Sequence, residues 1–363
     1  MKKANISTDN SRRPKNKVMG IVNINNESFY GKSRRITVED VEKAYLQMIE
    51  DGADIIDLGA CSTRPGSTPV SEQQEWEYLE KPLKRIASLI SESRSGYITF
   101  DNQAEPAKSR DLREERRAEK LDWNEGIVKP DCHLPQISID TFRSGIVRKA
   151  YEVLGPFIVN DISAGEDDPD MLSTVAELGL TYIAMHKRGT PDTMQTLTDY
   201  PDGVVAEVKR YFEAFAEKAD RFGIKDWILD PGFGFAKTVE QNYELLEHLD
   251  ELSNVATGNK ACSTDSQPAA INQRHTPVLV GLSRKSMIYK PLGITPEESL
   301  PATCVLNFRA LQKGASILRV HDVKEAVQTV TLYQRLLRTA APQLQDRCPS
   351  NSCVSEQYAK SFL

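Results

Sequence analysis

The segment DGADIIDLGACSTRPGSTPV, residues 51–70, begins as a strand fit for burial and ends as a polar loop with two prolines. Its apolar run Ile55-Ile56-Asp57-Leu58 carries an acid inside it and breaks at once into Ser62-Thr63-Arg64-Pro65-Gly66. A buried strand that stops in hydrogen-bonding residues presents them to something. The same construction recurs along the chain. From Lys17 onward, short β-branched runs ending in polar residues alternate with amphipathic stretches, and the count reaches eight. The strands are VMGIVNI (18–24), ADIIDLG (53–59), QISIDT (136–141), FIVNDI (157–162), TYIAMH (181–186), WILDPG (227–232), PVLVGLS (277–283) and SILRVH (316–321). Between them, stretches such as VEDVEKAYLQMIEDG (38–52) and GVVAEVKRYFEAFAEKADRFG (203–223) repeat apolar residues at helical spacing.

Strict alternation implies parallel strands joined by right-handed crossovers, and eight such units close into a (β/α)8 TIM barrel. An open doubly wound sheet is the alternative. It predicts a glycine fingerprint after the first strand, where the chain reads NINNESFYG (23–31). The expected organisation is a disordered basic tail over 1–16, one barrel domain over 17–338 and a C-terminal tail over 339–363. Two polar stretches, 91–135 and 253–276, are too long for ordinary connections. Both run from a helix end to a strand start, which places them at the N-terminal pole of the barrel.

The 363 residues are 39% hydrophobic and 27% charged, with a formal net charge of -6, which suits a folded globular chain and argues against a nucleic-acid partner. No apolar run approaches the roughly 18 residues that cross a bilayer, so no membrane partner is expected. The six cysteines, 61, 132, 262, 304, 348 and 353, lack metal-ligand spacing and suit reduced thiols in a cytoplasm.

In a barrel all strand tips face one bowl, and here those tips are polar. They are Asn23, Asp57 with the Thr63-Arg64 loop, Asp140-Thr141, Asn160-Asp161, Met185-His186, Asp230, Ser283-Arg284-Lys285-Ser286, and Arg319 with His321. Singly, each reads as a buried polar group that holds a loop. Together, carboxylates and carboxamides suit a flat heterocycle rich in N–H donors, because each can accept from adjacent donors. Lys285, Arg284, Arg319 and His321 cluster near the seventh and eighth strands, where barrels commonly bind phosphate. The ligand so described has an amine-rich ring at one end and an anion at the other.

The segments VMGIVNINNESFYGKSR, GADIIDLGACSTRPGS, ISIDTFRSGIVRKA, FIVNDISAG, MHKRGTPDTM, ILDPGFGFAKT, PVLVGLSRKSMI and KGASILRVHDV resemble, in order, the signatures of dihydropteroate synthase, the folate-biosynthesis family inhibited by sulfonamides. The likeness runs from about Lys17 to about Leu337, outside the two insertions. It implies a transferase that joins 6-hydroxymethyl-7,8-dihydropterin pyrophosphate to p-aminobenzoate and releases pyrophosphate. It also implies that Asp140, Asn160, Asp230 and Lys285 hold the pterin, with Met185 packed on the ring. Asp161 joins the substrate-binding set by its position at the fourth strand tip. Phe235 and Ser286 would lie near the aminobenzoate, with Thr63, Arg64 and Pro65 closing over it and Arg64 reaching the leaving group. Arg319 and His321 would hold the pyrophosphate and its Mg²⁺, with Asn23 giving the metal an oxygen. Asn23, Thr63, Arg64, Lys285, Arg319 and His321 are thus the expected catalytic set, and His186 is expected to shape a loop.

The family pattern is broken at Gly31, where an acid is usual, and at Cys61, which stands in for a glutamate. Two other readings share the pterin acids: a corrinoid methyltransferase using a folate donor, and a catalytically silent pterin-binding protein. The Ser-Thr-Arg-Pro loop and the Ser-Arg-Lys-Ser run favour the synthase. A homodimer is the family expectation.

Overall fold

The apolar runs are covered on both faces, by helices outside and by one another inside, which is why they read as nearly continuous hydrophobic strands. The computed structural model describes residues 16–24, 37–61, 70–94, 134–190, 193–253 and 276–345. Its strands are β1 (Lys17–Asn23), β2 (Ile55–Gly59), β3 (Gln136–Asp140), β4 (Ile158–Asp161), β5 (Thr181–Met185), β6 (Trp227–Asp230), β7 (Leu279–Val280) and β8 (Ile317–Val320). The helices are α1 (Val38–Glu50), α2 (Glu72–Arg94), α3 (Ser144–Leu154), α4 (Met171–Leu178), α5 (Val204–Phe222), α6 (Val239–Glu247), α7 (Leu249–Leu252), α8 (Ser286–Leu292), α9 (Leu300–Gln312) and α10 (Val323–Gln345). All pairings are parallel, in the order β6-β5-β4-β3-β2-β1-β8-β7. A bridge between Leu229 and Val278, with Leu229 N–H donating to Pro277 O at 3.0 Å, brings the two edges together. The result is a TIM barrel, as the alternation predicts.

Most strands differ from the sequence reading by one or two residues at an end, and two boundaries differ by more. The seventh strand, expected over 277–283, is regular only over Leu279–Val280, with Val278 adding an isolated bridge to Leu229. Pro277 has no N–H to give a ladder, and Arg284 turns the chain at φ 57°, so little extended backbone remains between them. The last helix passes the expected domain end at 338 and continues to Gln345.

Helix starts are set by local chemistry. Thr37 accepts from Asp40 N–H while Asp40 accepts from Thr37 N–H, and Thr238 and Gln241 make the same reciprocal cap at α6. Outward strand residues such as Val18, Ile56, Leu58, Ile139, Val159 and Tyr182 pack against helical Tyr45, Leu79, Leu83, Ile146 and Phe212. Inward residues Met19, Ile55, Ile158, Ile183, Ile228, Leu279 and Ile317 form a second, separate apolar plug across the barrel axis. Ser253 and Thr276 meet at the N-terminal pole, where Thr276 N–H donates to Ser253 O at 3.2 Å.

Candidate active site

The plug forms the floor of the site. One step of two residues further along each strand, the inward positions change character: Asp57 on β2, Asn160 on β4, Met185 on β5, Asp230 on β6 and Arg319 on β8. The period of two that makes Ile55, Ile158, Ile228 and Ile317 apolar inward residues therefore delivers Asp57, Asn160, Asp230 and Arg319 to the same interior. Asp140 joins from the tip of β3, where Gly59 and Asn160 are its cross-strand neighbours. A Cβ at Gly59 would stand 3.2 Å from that of Asp140, so the glycine makes the room this side chain uses.

Asp57 is fully buried and is the hub of the polar layer. Its Oδ2 accepts from Arg319 Nε at 2.8 Å and from Asn160 Nδ2 at 2.9 Å, and Arg319 Nη2 reaches Asp140 Oδ2 at 2.7 Å. The arginine side chain, 22% exposed, thus spans two acids. Burial raises the Asp140 carboxyl to about 7, with Arg319 opposing and Asp57 adding to the rise. Burial lowers the Arg319 pKa, but the two aspartates outweigh it and hold the guanidinium firmly charged.

Opposite lies the loop after β6. Asp230 Oδ1 accepts from Gly232 N–H at 2.8 Å, and burial pushes its carboxyl up against the pull of Lys285. Lys285 caps the N-terminus of α8, an unfavourable place for a cation, and donates to Phe233 O while its Nζ sits 5.1 Å over the Phe235 ring. Burial brings the Lys285 ammonium down to about 8, with Asp230 acting the other way. Among the inward positions the bowl therefore combines the acids Asp140 and Asp230, the amide Asn160, the cations Lys285 and Arg319, and the apolar Met185.

The remaining expected residues fall in different places. Asn23 ends β1 across from Gly59, and Ser286 is the first residue of α8. His321 lies just past β8, with Nδ1 3.1 Å from Ser283 Oγ. Thr63, Arg64 and Pro65, like Gly31, lie outside the described residues. Asp161, expected to bind substrate, is turned away from the bowl: its carboxylate accepts from Ser163 N–H and Oγ at 2.7 Å, Gly165 N–H at 2.9 Å and Tyr182 OH at 2.6 Å. Adjacent strand residues point to opposite faces, so Asn160 and Asp161 cannot both look inward. Arg284, grouped by sequence with the phosphate-binding cations, is gripped by Asp322 through contacts of 3.0 and 2.7 Å. It ties the loops after β7 and β8 to each other.

Two features escaped the sequence reading. Lys237 is buried beneath the Asp230 loop, with His186 as one of its partners. Its position three residues past a Gly-Phe-Gly turn gives no sign that the side chain folds back inward. Glu75 of α2, also buried, pairs with Arg143, which in turn donates to Val70 O. That pair holds Val70 close to Cys61.

The site is an acid-lined bowl rimmed by cations at the C-terminal mouth of a TIM barrel, and a family model described as pterin binding enzyme matches residues 19–95 and 117–321. Dihydropteroate synthase from Escherichia coli K12 is 33% identical over 323 residues, covering 88% of this chain and 91% of that protein. The Synechocystis enzyme of the same name is 34% identical over 88% of this chain and 90% of its own length. Among solved structures, Yersinia pestis dihydropteroate synthase in a sulfonamide drug complex superposes with a TM-score of 0.68 at 28% identity, covering 89% of this chain and 95% of that one. Burkholderia cenocepacia dihydropteroate synthase complexed with 7,8-dihydropteroate gives 0.66 at 28% identity over 92% and 94%. The chain belongs to the dihydropteroate synthase family.

Proposed function

We propose that this chain condenses 6-hydroxymethyl-7,8-dihydropterin pyrophosphate with p-aminobenzoate to give 7,8-dihydropteroate and pyrophosphate. The observation that carries the reading is the single inward layer in which Asp140, Asn160, Asp230, Lys285 and Arg319 meet above an apolar floor. Asp230 accepts from the ring N3–H and 2-amino donors, as a carboxylate does from a guanidinium. Asp140 and Asn160 take other edge donors, Lys285 donates to the ring carbonyl, and Met185 covers a face.

Arg319 and His321 receive the pyrophosphate. The C–O bond to pyrophosphate breaks with both electrons leaving on oxygen, and the electron-rich dihydropterin bears the methylene cation. The neutral arylamine, seated by Phe235, Ser286 and the Thr63-Arg64-Pro65 loop, then attacks that carbon and sheds a proton that needs no strong base. Positioning and electrostatic stabilisation of the leaving group supply the rate. Among the described residues no cluster of three acidic, histidine or cysteine side chains could cage a metal. A single amide oxygen from Asn23 fits Mg²⁺, which keeps most of its coordination in phosphate oxygens and water. Bound there, Mg²⁺ would neutralise charge developing on pyrophosphate.

The same reading includes three finer statements. Sulfonamides, which resemble p-aminobenzoate, should compete for its place. The exposed apolar residues Val305 of α9 and Leu332 and Leu336 of α10, which are 67, 63 and 58% exposed, are the face on which a second copy would pack into a homodimer. Among the described residues no helix is long and apolar enough to cross a membrane, and Cys61 and Cys304 are unbridged, which supports a reducing, cytoplasmic setting.

The test is purified protein with both substrates and Mg²⁺. Equimolar release of pyrophosphate and 7,8-dihydropteroate is expected. Methyl transfer to a corrinoid, or pterin binding without turnover, would overturn the reading.

A further inference from the structure

The loop from Asp230 to Thr238 carries an acid and an aromatic ring of the proposed site, and it is held from beneath by a side chain outside that site. Lys237 is 6% exposed, and its Nζ lies 3.0 Å from each of three partners: Gly232 O, Phe235 O and His186 Nδ1. Gly232 N–H in turn donates to the Asp230 carboxylate. Lys237 therefore acts on Asp230 through one residue and on the Phe235 ring through that residue's own carbonyl.

An ammonium has three N–H groups, whereas a neutral amine has two and a lone pair. As an ammonium, Lys237 donates to all three partners, and His186 must carry its ring proton on Nε2. As an amine, it keeps both carbonyl bonds and its lone pair accepts from His186 Nδ1–H. The two arrangements differ by one proton, and both keep the Lys237–His186 Nδ1 hydrogen bond and the two carbonyl bonds.

We propose that Lys237 is a positioning residue of the pterin pocket and that it forms with His186 a buried couple which gives up or takes one proton, by a tautomer change in His186, without releasing the Asp230 loop. When the couple changes from charge +1 to 0, the proton goes to solvent and no heavy atom has to move. The groups facing it are Asp230 from β6, Lys285 from the start of α8, Arg188 from the segment after β5, the Tyr211 ring of α5, edge-on to His186 at 4.9 Å, and the Tyr200 ring, tilted against His186 at 6.3 Å. Burial brings Lys237 down to about 7, with Asp230 opposing and Lys285 and Arg188 assisting, and burial holds His186 well below the usual imidazole range. The exchange thus falls near neutral pH. The couple's charge bears directly on Asp230, the acid that meets the ring's donors. This inference rests on the pterin reading of the bowl.

The experiment is NMR of the full, ligand-free chain, uniformly labelled with ¹⁵N so that histidine rings and backbone amides are both observed, from pH 6 to 9. Among the five histidines, the resonances of His186 are assigned by His186→Gln. Its Nδ1 should change from acceptor to protonated as pH rises, while the Gly232 and Phe235 amides stay in place. Lys237→Met should fix one tautomer and raise KM for both substrates at least tenfold with kcat within threefold. Lys237→Arg should restore KM without restoring the tautomer change. A wild-type His186 that keeps one tautomer throughout overturns the couple even if Lys237→Met does not fold. Lys237→Met with wild-type KM, or a change only in kcat or thermal stability, overturns the positioning role. Wild-type protein that forms no dihydropteroate would defeat the function instead, leaving the tautomer change to be judged by itself.

Discussion

Replacing Asp57 with alanine removes the acceptor on which the polar layer turns. Its Oδ2 receives Arg319 Nε at 2.8 Å, Arg319 Nη2 at 2.7 Å and Asn160 Nδ2 at 2.9 Å, all in a fully buried setting. Breaking a buried ion pair by deleting one partner typically costs about 3–5 kcal/mol. Arg319 would still hold Asp140 at 2.7 Å, so its charge is not orphaned and the lower end, about 3 kcal/mol, is expected. Asp57→Asn should cost somewhat less, about 1–3 kcal/mol, because one acceptor oxygen remains while an amide donor enters a buried place. There Asp57 Oδ1 finds no hydrogen-bond partner among the described residues. Urea denaturation at constant pH would show the midpoint fall with the slope unchanged. Pterin affinity should drop more than tenfold, since Asn160 and Arg319 lose their common anchor. If both variants stay within 0.5 kcal/mol of wild type, a margin typical of unremarkable surface changes, and bind pterin normally, the hub assignment is wrong.

Gly232→Ala meets two obstacles at once: a φ of +68° and a Cβ only 2.0 Å from His186 O. A loss of at least about 2 kcal/mol is expected from left-handed strain and backbone displacement, visible as a lower melting temperature. Arg284→Ala should cost about 1–2 kcal/mol by freeing Asp322, with pterin affinity unchanged because the guanidinium does not enter the bowl. Lys285 loses its proton near pH 8 when folded and near 10.5 when unfolded. Between these values the unfolded state holds the extra proton, so stability of the ligand-free protein should rise with pH, and Lys285→Met should flatten that rise. Asp140 has the opposite slope. It is protonated up to about 7 when folded and to 3.8 when unfolded, so stability should fall as pH rises from 4 to 7, and Asp140→Asn should remove that part of the slope.

The barrel was legible because short, nearly continuous apolar runs alternate eight times with stretches of helical period, and the polar strand ends were legible because such residues are costly in a core. Asp140, Asn160, Met185, Asp230, Lys285 and Arg319 were all named from the sequence, and the structure brings them to one interior. Asp161 was misplaced because neighbouring tips look alike in a sequence, although the strand period that puts Asn160 inward puts Asp161 outward. Arg284 was misassigned because its partner Asp322 is 38 residues away and pairs with it only when the loops after β7 and β8 meet. Lys237 gave no local sign at all, since a lysine at the start of a helix reads as solvated until the tertiary fold turns it beneath the Asp230 loop. The hub role of Asp57 depends on Arg319, 262 residues distant, and no spacing rule reaches that far.

The contrast between Asp230 and Asp161 tests most directly whether one inward layer makes one pterin pocket. Both are strand-tip aspartates and both are buried, but they look to opposite sides of the barrel wall. Titrating a pterin into Asp230→Ala should show a loss of more than a hundredfold, the worth of about 3 kcal/mol in charge-assisted bonds. Asp161→Ala should lose stability yet bind within a few-fold of wild type. Near-normal affinity in Asp230→Ala, or a collapse of affinity in a folded Asp161→Ala, would contradict the account.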